Sequence, residues 1–151
     1  MTIMQPWFPS AAGPPDFVLD VSAAFSWSLA GNYSPYASGL MMRMMSSIAA
    51  VPGTWASELA QMLRDAERAG RGTTSKSDLF LQGIHRFAIH VDAEVSTRAW
   101  SDILPLARAY SIPVARAAYL ELALRLKLPL ATSDASLSRA ALAAGVPIYT
   151  P

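Results

Sequence analysis

The sequence predicts an α/β domain built around a parallel sheet, and three observations carry that prediction. Short apolar runs alternate with longer helical patterns along all 151 residues. Apolar residues make up 52% and charged residues 15%, a balance that buries a core rather than leaving a disordered chain. The pattern is continuous, and the length is enough for one domain with its own interior.

The elements follow in order. Residues 1–15, "MTIMQPWFPSAAGPP", read as an extended lead-in because of their Pro, Gly and Ala content, and 16–151 as the domain. Strands are predicted at 17–20 "FVLD", 48–52 "IAAVP", 88–91 "AIHV", 129–132 "PLAT" and 146–149 "VPIY". Helices are predicted at 22–29 and 34–46, then at 54–69, with Thr54 as N-cap and Leu59, Met62 and Leu63 on one face. The next, 75–87, starts near Ser75, Ser77 and Asp78, and 92–110 opens with Asp92 and Glu94 at the positive end of its dipole. Residues 113–127 carry Pro113 in the first turn and stop before Pro129, and 135–144 end at Gly145.

Composition removes several function classes. The chain has no Cys, hence no disulfides, thiolate chemistry or Cys-ligated zinc. A net charge of +1 is no polycationic coat for nucleic acid, although it leaves room for a local RNA or DNA site. The start lacks a basic region followed by an apolar core, and no uncharged apolar run nears the ~20 residues of a membrane span. The expectation is a soluble, cytoplasmic protein with no membrane partner.

Acidic residues recur where strands should end. "DFVLDVSAAF" (16–25) runs from an apolar strand to Asp20, Ser22 and a helix, and "LPLATSDASL" (128–137) repeats that order with Asp134. In open parallel sheets, ligands sit at the carboxyl ends of strands near a switch in strand order. An Asp after a strand is also an ordinary helix N-cap, so each residue alone has that simpler reading. Glu58, in "PGTWASELAQML", adds a third acid, with a solvated helix-face carboxylate as its plain alternative. Three carboxylates converging on one sheet edge repel unless a cation sits between them. A hard divalent ion such as Mg²⁺ or Mn²⁺ takes such oxygen ligands, and metal-assisted phosphodiester hydrolysis uses this arrangement.

"FVLDVSAAFSW", "PGTWASELAQML", "ARAAYLELALRLKLPLATSDASL" and "AAGVPIY", in that order, resemble a PIN domain, and within it the VapC-type toxins of bacterial toxin–antitoxin pairs. The resemblance runs from about Asp16 to the C-terminus. It implies a three-layer α/β/α fold with a parallel sheet, usually a homodimer. The implied activity is Mg²⁺- or Mn²⁺-dependent cleavage of RNA, restrained by an antitoxin partner. By position, Asp20 and Ser22 match the first acidic motif, Glu58 the second and Asp134 the last, with Thr132 and Ser133 as the small polar residues beside it. Gln61 stands where the family commonly has Asn.

One position departs. Arg116, in "PVARAAYLELA", stands directly before "AAY" where the family has an Asp. An always-protonated guanidinium removes one ligand and competes for the remaining acids, leaving a formal site charge near −2 instead of −4. In one reading Arg116 pairs with Asp20 or Asp134 and silences the site. In another the three acids still hold a metal and Arg116 binds a substrate phosphate. A third sends the side chain to the rim, into water. Glu121 is no replacement, lying five residues on and about 140° around the helix.

Two functions follow: a metal-dependent endoribonuclease weakened by Arg116, or a catalytically degenerate PIN domain that binds RNA or an antitoxin without cutting. A DNA-directed nuclease with the same metal chemistry is a weaker third. The Met-rich "GLMMRMMSSI" (39–48) is read as core filling, with a partner groove or dimer face as the alternative. Trp7, Trp27, Trp55 and Trp100 are read as core or interface. Arg64, Arg68 and Arg71 are read as a solvated stripe diluted by Asp65 and Glu67, with an RNA contact as the alternative. His85 and His90 receive no role, and glycine-rich phosphate loops and GxSxG are absent.

Overall fold

Four parallel strands in the order β3-β2-β1-β4 form the centre of the protein, in a computed structural model that describes residues 12–28 and 30–151. The strands are β1 (Phe17–Leu19), β2 (Ile48–Pro52), β3 (Ala88–Asp92) and β4 (Leu130–Ala131). β1 pairs with β2 through Phe17–Ala49 and Val18–Ala50, and with β4 through Val18–Leu130 and Leu19–Ala131. Phe17, Val18 and Leu19 have no exposed surface, as expected for a strand covered on both faces of a parallel sheet. Helices flank the sheet, giving the expected three-layer α/β/α arrangement.

The helices are α1 (Val21–Phe25), α2 (Pro35–Arg43), α3 (Trp55–Arg68), α4 (Thr74–Ile84), α5 (Val95–Arg98), α6 (Leu104–Tyr110), α7 (Val114–Leu126) and α8 (Ala135–Ala143). Their ends obey local chemistry. Ser34 accepts from the Ala37 N–H, with Pro35 in the first turn of α2. After α8, Gly145 takes a left-handed φ of 84° and the Val146 N–H closes back on the Ala141 carbonyl, a Schellman-type stop. Thr73 rather than Ser75 or Ser77 caps α4, accepting from the Lys76 N–H.

Three sequence expectations change. The run 146–149 forms one parallel bridge, Leu130–Ile148, instead of a full strand; Pro147 cannot donate to a ladder. The helix expected over 92–110 is interrupted. β3 extends to Asp92, and a π-helical turn, Ala99–Ile103, separates α5 from α6. Pro105, in the first turn of α6, has no N–H for the Ser101 carbonyl, so the hydrogen-bond register resets upstream. The helix at 22–29 is one short turn, Val21–Phe25.

The core reading of the aromatic and Met residues holds only in part. Trp55 is buried, and Trp27 is half-buried, donating to the Ala37 carbonyl at 2.8 Å. Trp100 is 88% exposed on the π-helical turn, which removes the core half of its core-or-interface reading, and Trp7 lies outside the described residues. Of the Met cluster only Met44 is buried, while Met42 and Met45 stand out of the surface. Most of the lead-in, residues 1–11, also lies outside the described residues.

Candidate functional site

The strand order reverses at β1: β2 lies on one side and β4 on the other. Crevices at such switch points open at the carboxyl ends of the strands. Asp20 follows β1 directly and Thr132, Ser133 and Asp134 follow β4, so the two repeated motifs meet there. The Asp20 N–H donates to the Ala131 carbonyl at 2.9 Å, carrying the sheet register one residue past β1.

Asp20 has no exposed surface. Its Oδ2 accepts from the Thr132 hydroxyl at 2.7 Å and from the Ser22 hydroxyl in a short hydrogen bond. It makes no side-chain cap on α1, so the N-cap reading fails for this residue. Ser22 Oγ also accepts from the Ser133 N–H at 3.1 Å, and Thr132 Oγ1 accepts from the Asp134 N–H at 3.0 Å. The two hydroxyls therefore stitch the β1 and β4 termini together around one carboxylate. Ser133 enters this network through its backbone, with its residue exposed.

For Asp134 the cap and the site coexist. Oδ1 caps α8 by accepting from the Leu137 N–H at 2.9 Å, and Oδ2 accepts from Arg116 Nε at 2.9 Å. Glu58 reaches the same place from the first turn of α3. Thr54 does not cap that helix; its hydroxyl donates to Glu58 Oε1 at 3.0 Å. The Tyr119 hydroxyl donates to Oε2 at 3.1 Å.

Arg116 sits among all three acids. Nη1 lies 3.8 Å from Asp20 Oδ1 and 3.7 Å from Glu58 Oε2, while Nε holds Asp134. Of the three readings weighed for this residue, the geometry is that of the internal ion pair, and the rim reading is corrected: the side chain is 24% exposed. Unit charges about 4 Å apart attract by about 4 kcal/mol at an effective dielectric near 20, before desolvation is subtracted. That attraction keeps a guanidinium here rather than in water.

Protonation follows from the same contacts. Burial pushes the Asp20 carboxyl above its ordinary value, opposed by hydrogen bonds from Ser22 and Thr132 and by the charge of Arg116. Burial also raises Glu58, opposed by Thr54, Tyr119 and Arg116. Burial alone would lower Arg116, but the charges of Asp20, Asp134 and Glu58 outweigh it and its pKa rises. Burial and the neighbouring acids push Tyr119 far up, so it remains a neutral donor.

Asp20 Oδ1 is buried without a hydrogen-bond partner. An orphaned carboxylate oxygen in an oxygen-only donor set suits a hard divalent cation. Arg116 occupies the space between the acids, and among the described residues no three His, Cys, Asp or Glu side chains form a group disposed to hold a metal ion. As they stand these acids do not form a metal site; holding an ion would require Arg116 to leave and the carboxylates to close in on it.

Tyr119 and Thr54 hold Glu58, a role in the site that the sequence reading gives to neither, Thr54 being read there only as an N-cap. The signal for both is helical spacing, Tyr119 three residues after Arg116 and Thr54 four before Glu58. Glu121 joins a separate network, accepting from Arg125 Nε at 2.8 Å, with Arg98 Nε 3.7 Å away. Arg125 also grips Asp92 with both Nη atoms, at 3.1 and 2.8 Å.

No protein-family model matches the chain. No curated protein matches it either. Among solved structures it is similar to PAE2754 from Pyrobaculum aerophilum, with a TM-score of 0.62 and 20% identity over 93% of this chain and 88% of that one. Likeness at this identity shows the fold alone.

Proposed function

We propose that this protein is a Mg²⁺- or Mn²⁺-dependent endoribonuclease of the PIN, VapC-like kind, weakened by Arg116. The observation that supports it is the convergence of Asp20, Glu58 and Asp134 on one guanidinium at the switch point of the sheet. Asp20 and Asp134, assisted by Glu58, would hold the ion. Such an ion, when bound, supplies an acidic water and a positive charge for phosphate oxygens.

The chain's own residues do the rest. Ser22 and Thr132 hold the Asp20 carboxylate, and Thr54 and Tyr119 hold Glu58. Released from Asp134, Arg116 would be free to meet a substrate phosphate. The family resemblance extends the proposal to an antitoxin partner, a homodimer and a cytoplasmic setting. No helix among the described residues is long and apolar enough to cross a membrane.

A second reading is favoured by the 2.9 Å Arg116–Asp134 pair. If that pair persists against metal, the domain binds RNA or antitoxin without cutting. Titrating Mn²⁺ into wild type and Arg116→Asp, then assaying RNA cleavage, separates the two. The nuclease reading expects EDTA-sensitive cleavage by wild type, stronger in Arg116→Asp and lost in Asp20→Asn. No cleavage by either Arg116 form at saturating metal would leave the binding reading.

A further inference from the structure

The two edges of the sheet are finished differently. Along the outer side of β4 runs the segment 147–149: the Leu130 N–H donates to the Pro147 carbonyl and the Tyr149 N–H to the Leu130 carbonyl, both at 2.9 Å. For β3 the described residues supply no such cover. Beyond its ladder with β2, the backbone of Ala88–Asp92 makes no hydrogen bond among them. His90 and Val91 are both exposed there, Val91 by 47%. Sheets usually block such an edge with proline, lysine, a bulge or a covering segment. The strand "AIHVD" has neither proline nor lysine, and its register with β2 runs unbroken. Asp92, its one acid, is turned onto Arg125.

We infer that β3 is a docking edge for a second copy of this chain, paired antiparallel about a twofold axis at His90 so that two four-stranded sheets become one. An antiparallel strand supplies the missing donors and acceptors, and the twofold axis makes the two halves of the contact identical. In this register the sequence is complementary to itself. Ile89 of one copy stands opposite Val91 of the other, twice, which covers the half-exposed valine. Arg86, just before the strand, comes beside Glu94 of the other copy, just after it. Arg86 is exposed and makes no ion pair among the described residues. Glu94 keeps 47% of its side chain exposed beyond its contacts with Arg98 and Arg125.

The edge itself carries this inference, which holds whether or not the acid cluster cleaves RNA. It gives the homodimer of the proposed function a specific face. Five residues a side is a small contact beside the ~800 Å² per partner of a standard interface. The dimer is therefore expected to be reversible, with a Kd roughly in the micromolar range.

The test is sedimentation equilibrium of the full chain over a concentration series spanning that range. Wild type is expected to show a monomer–dimer equilibrium. His90→Asp sets like charges against each other at the axis and should weaken it about fivefold. Arg86→Glu turns two attractive contacts into acid–acid contacts and should weaken it about tenfold. Both side chains are exposed, and melting curves matching wild type confirm that the variants fold. Hydrogen exchange supplies a second readout: amides within 88–92 should gain protection with concentration in wild type and not in His90→Asp. A dimer weakened by both variants supports the edge, with or without RNA cleavage. A dimer that neither variant weakens overturns this face and leaves the homodimer standing on another. A monomer at every concentration overturns both.

Discussion

Arg116 Nε lies 2.9 Å from Asp134 Oδ2, while the other oxygen of that carboxylate caps α8. One side chain thus fastens the start of α7 to the start of α8 and fills the space between three acids. Removing the guanidinium leaves those acids facing one another, with Asp20 wholly buried. Arg116→Ala is expected to lose roughly 1–3 kcal/mol in EDTA, the range for stranding partly buried charge-assisted partners. Mn²⁺ should restore most of that loss, and shift wild type much less. Urea melts with and without metal measure both, and equal stability of the two proteins in EDTA would deny the pair any structural role.

Thr132 serves two partners, donating to Asp20 and accepting from the Asp134 N–H. Thr132→Val keeps the shape and strands both. A cost of about 1–3 kcal/mol is expected, and Thr132→Ser should recover most of it by keeping the hydroxyl. Chemical denaturation of the two variants side by side is the check.

The pH dependence has a definite sign. Asp20 and Glu58 have folded pKa values raised above the ordinary 3.8 and 4.5, chiefly by burial. The folded state therefore holds these protons more tightly than the unfolded chain does. Their contribution is most favourable at low pH and declines as pH rises from the ordinary values through the raised ones. Asp92 runs the other way: although burial opposes it, Arg125 lowers its pKa, so its stabilisation is present above 3.8 and lost on acidification through the lowered value. Asp20→Asn deletes one declining contribution, so its stability relative to wild type should improve as pH rises from the ordinary 3.8 through the raised value. A difference that shrinks over that range would contradict the assignment.

Arg125 anchors the second ionic network, gripping Asp92 from the last turn of α7 and covering the buried Glu121. Arg125→Met is expected to cost about 2–3 kcal/mol, less than a fully buried pair because the guanidinium keeps some solvent contact. Arg125→Lys should recover only part, since an ammonium cannot reproduce the two-pronged grip. Neither change should alter Mn²⁺ or RNA binding, because this network shares no residue with the Arg116 cluster. A loss of metal binding in Arg125→Met would show that the networks are coupled.

Much of the fold is legible along the chain because strong local signals agree with the global arrangement. The apolar runs 17–20, 48–52 and 88–91 become β1, β2 and β3, and 54–69 becomes α3 nearly residue for residue. Pro147 and Pro105 mark where that reading fails: each removes a backbone donor, and one leaves a lone bridge while the other resets a helix. Capping was half legible. Asp134 caps its helix as any Asp there would, whereas Asp20, in the same kind of motif, does not.

By itself the sequence determined that acids stand after β1 and β4 and that an arginine occupies the position before "AAY", because strand ends and helix starts are written in local residue choice. Only the tertiary structure decided what those residues do to one another. The strand order puts β4 beside β1, bringing residues more than a hundred positions apart within hydrogen-bond reach. Whether Arg116 turned to water or inward depended on the summed field of three carboxylates, a quantity that exists only once distant segments are packed together.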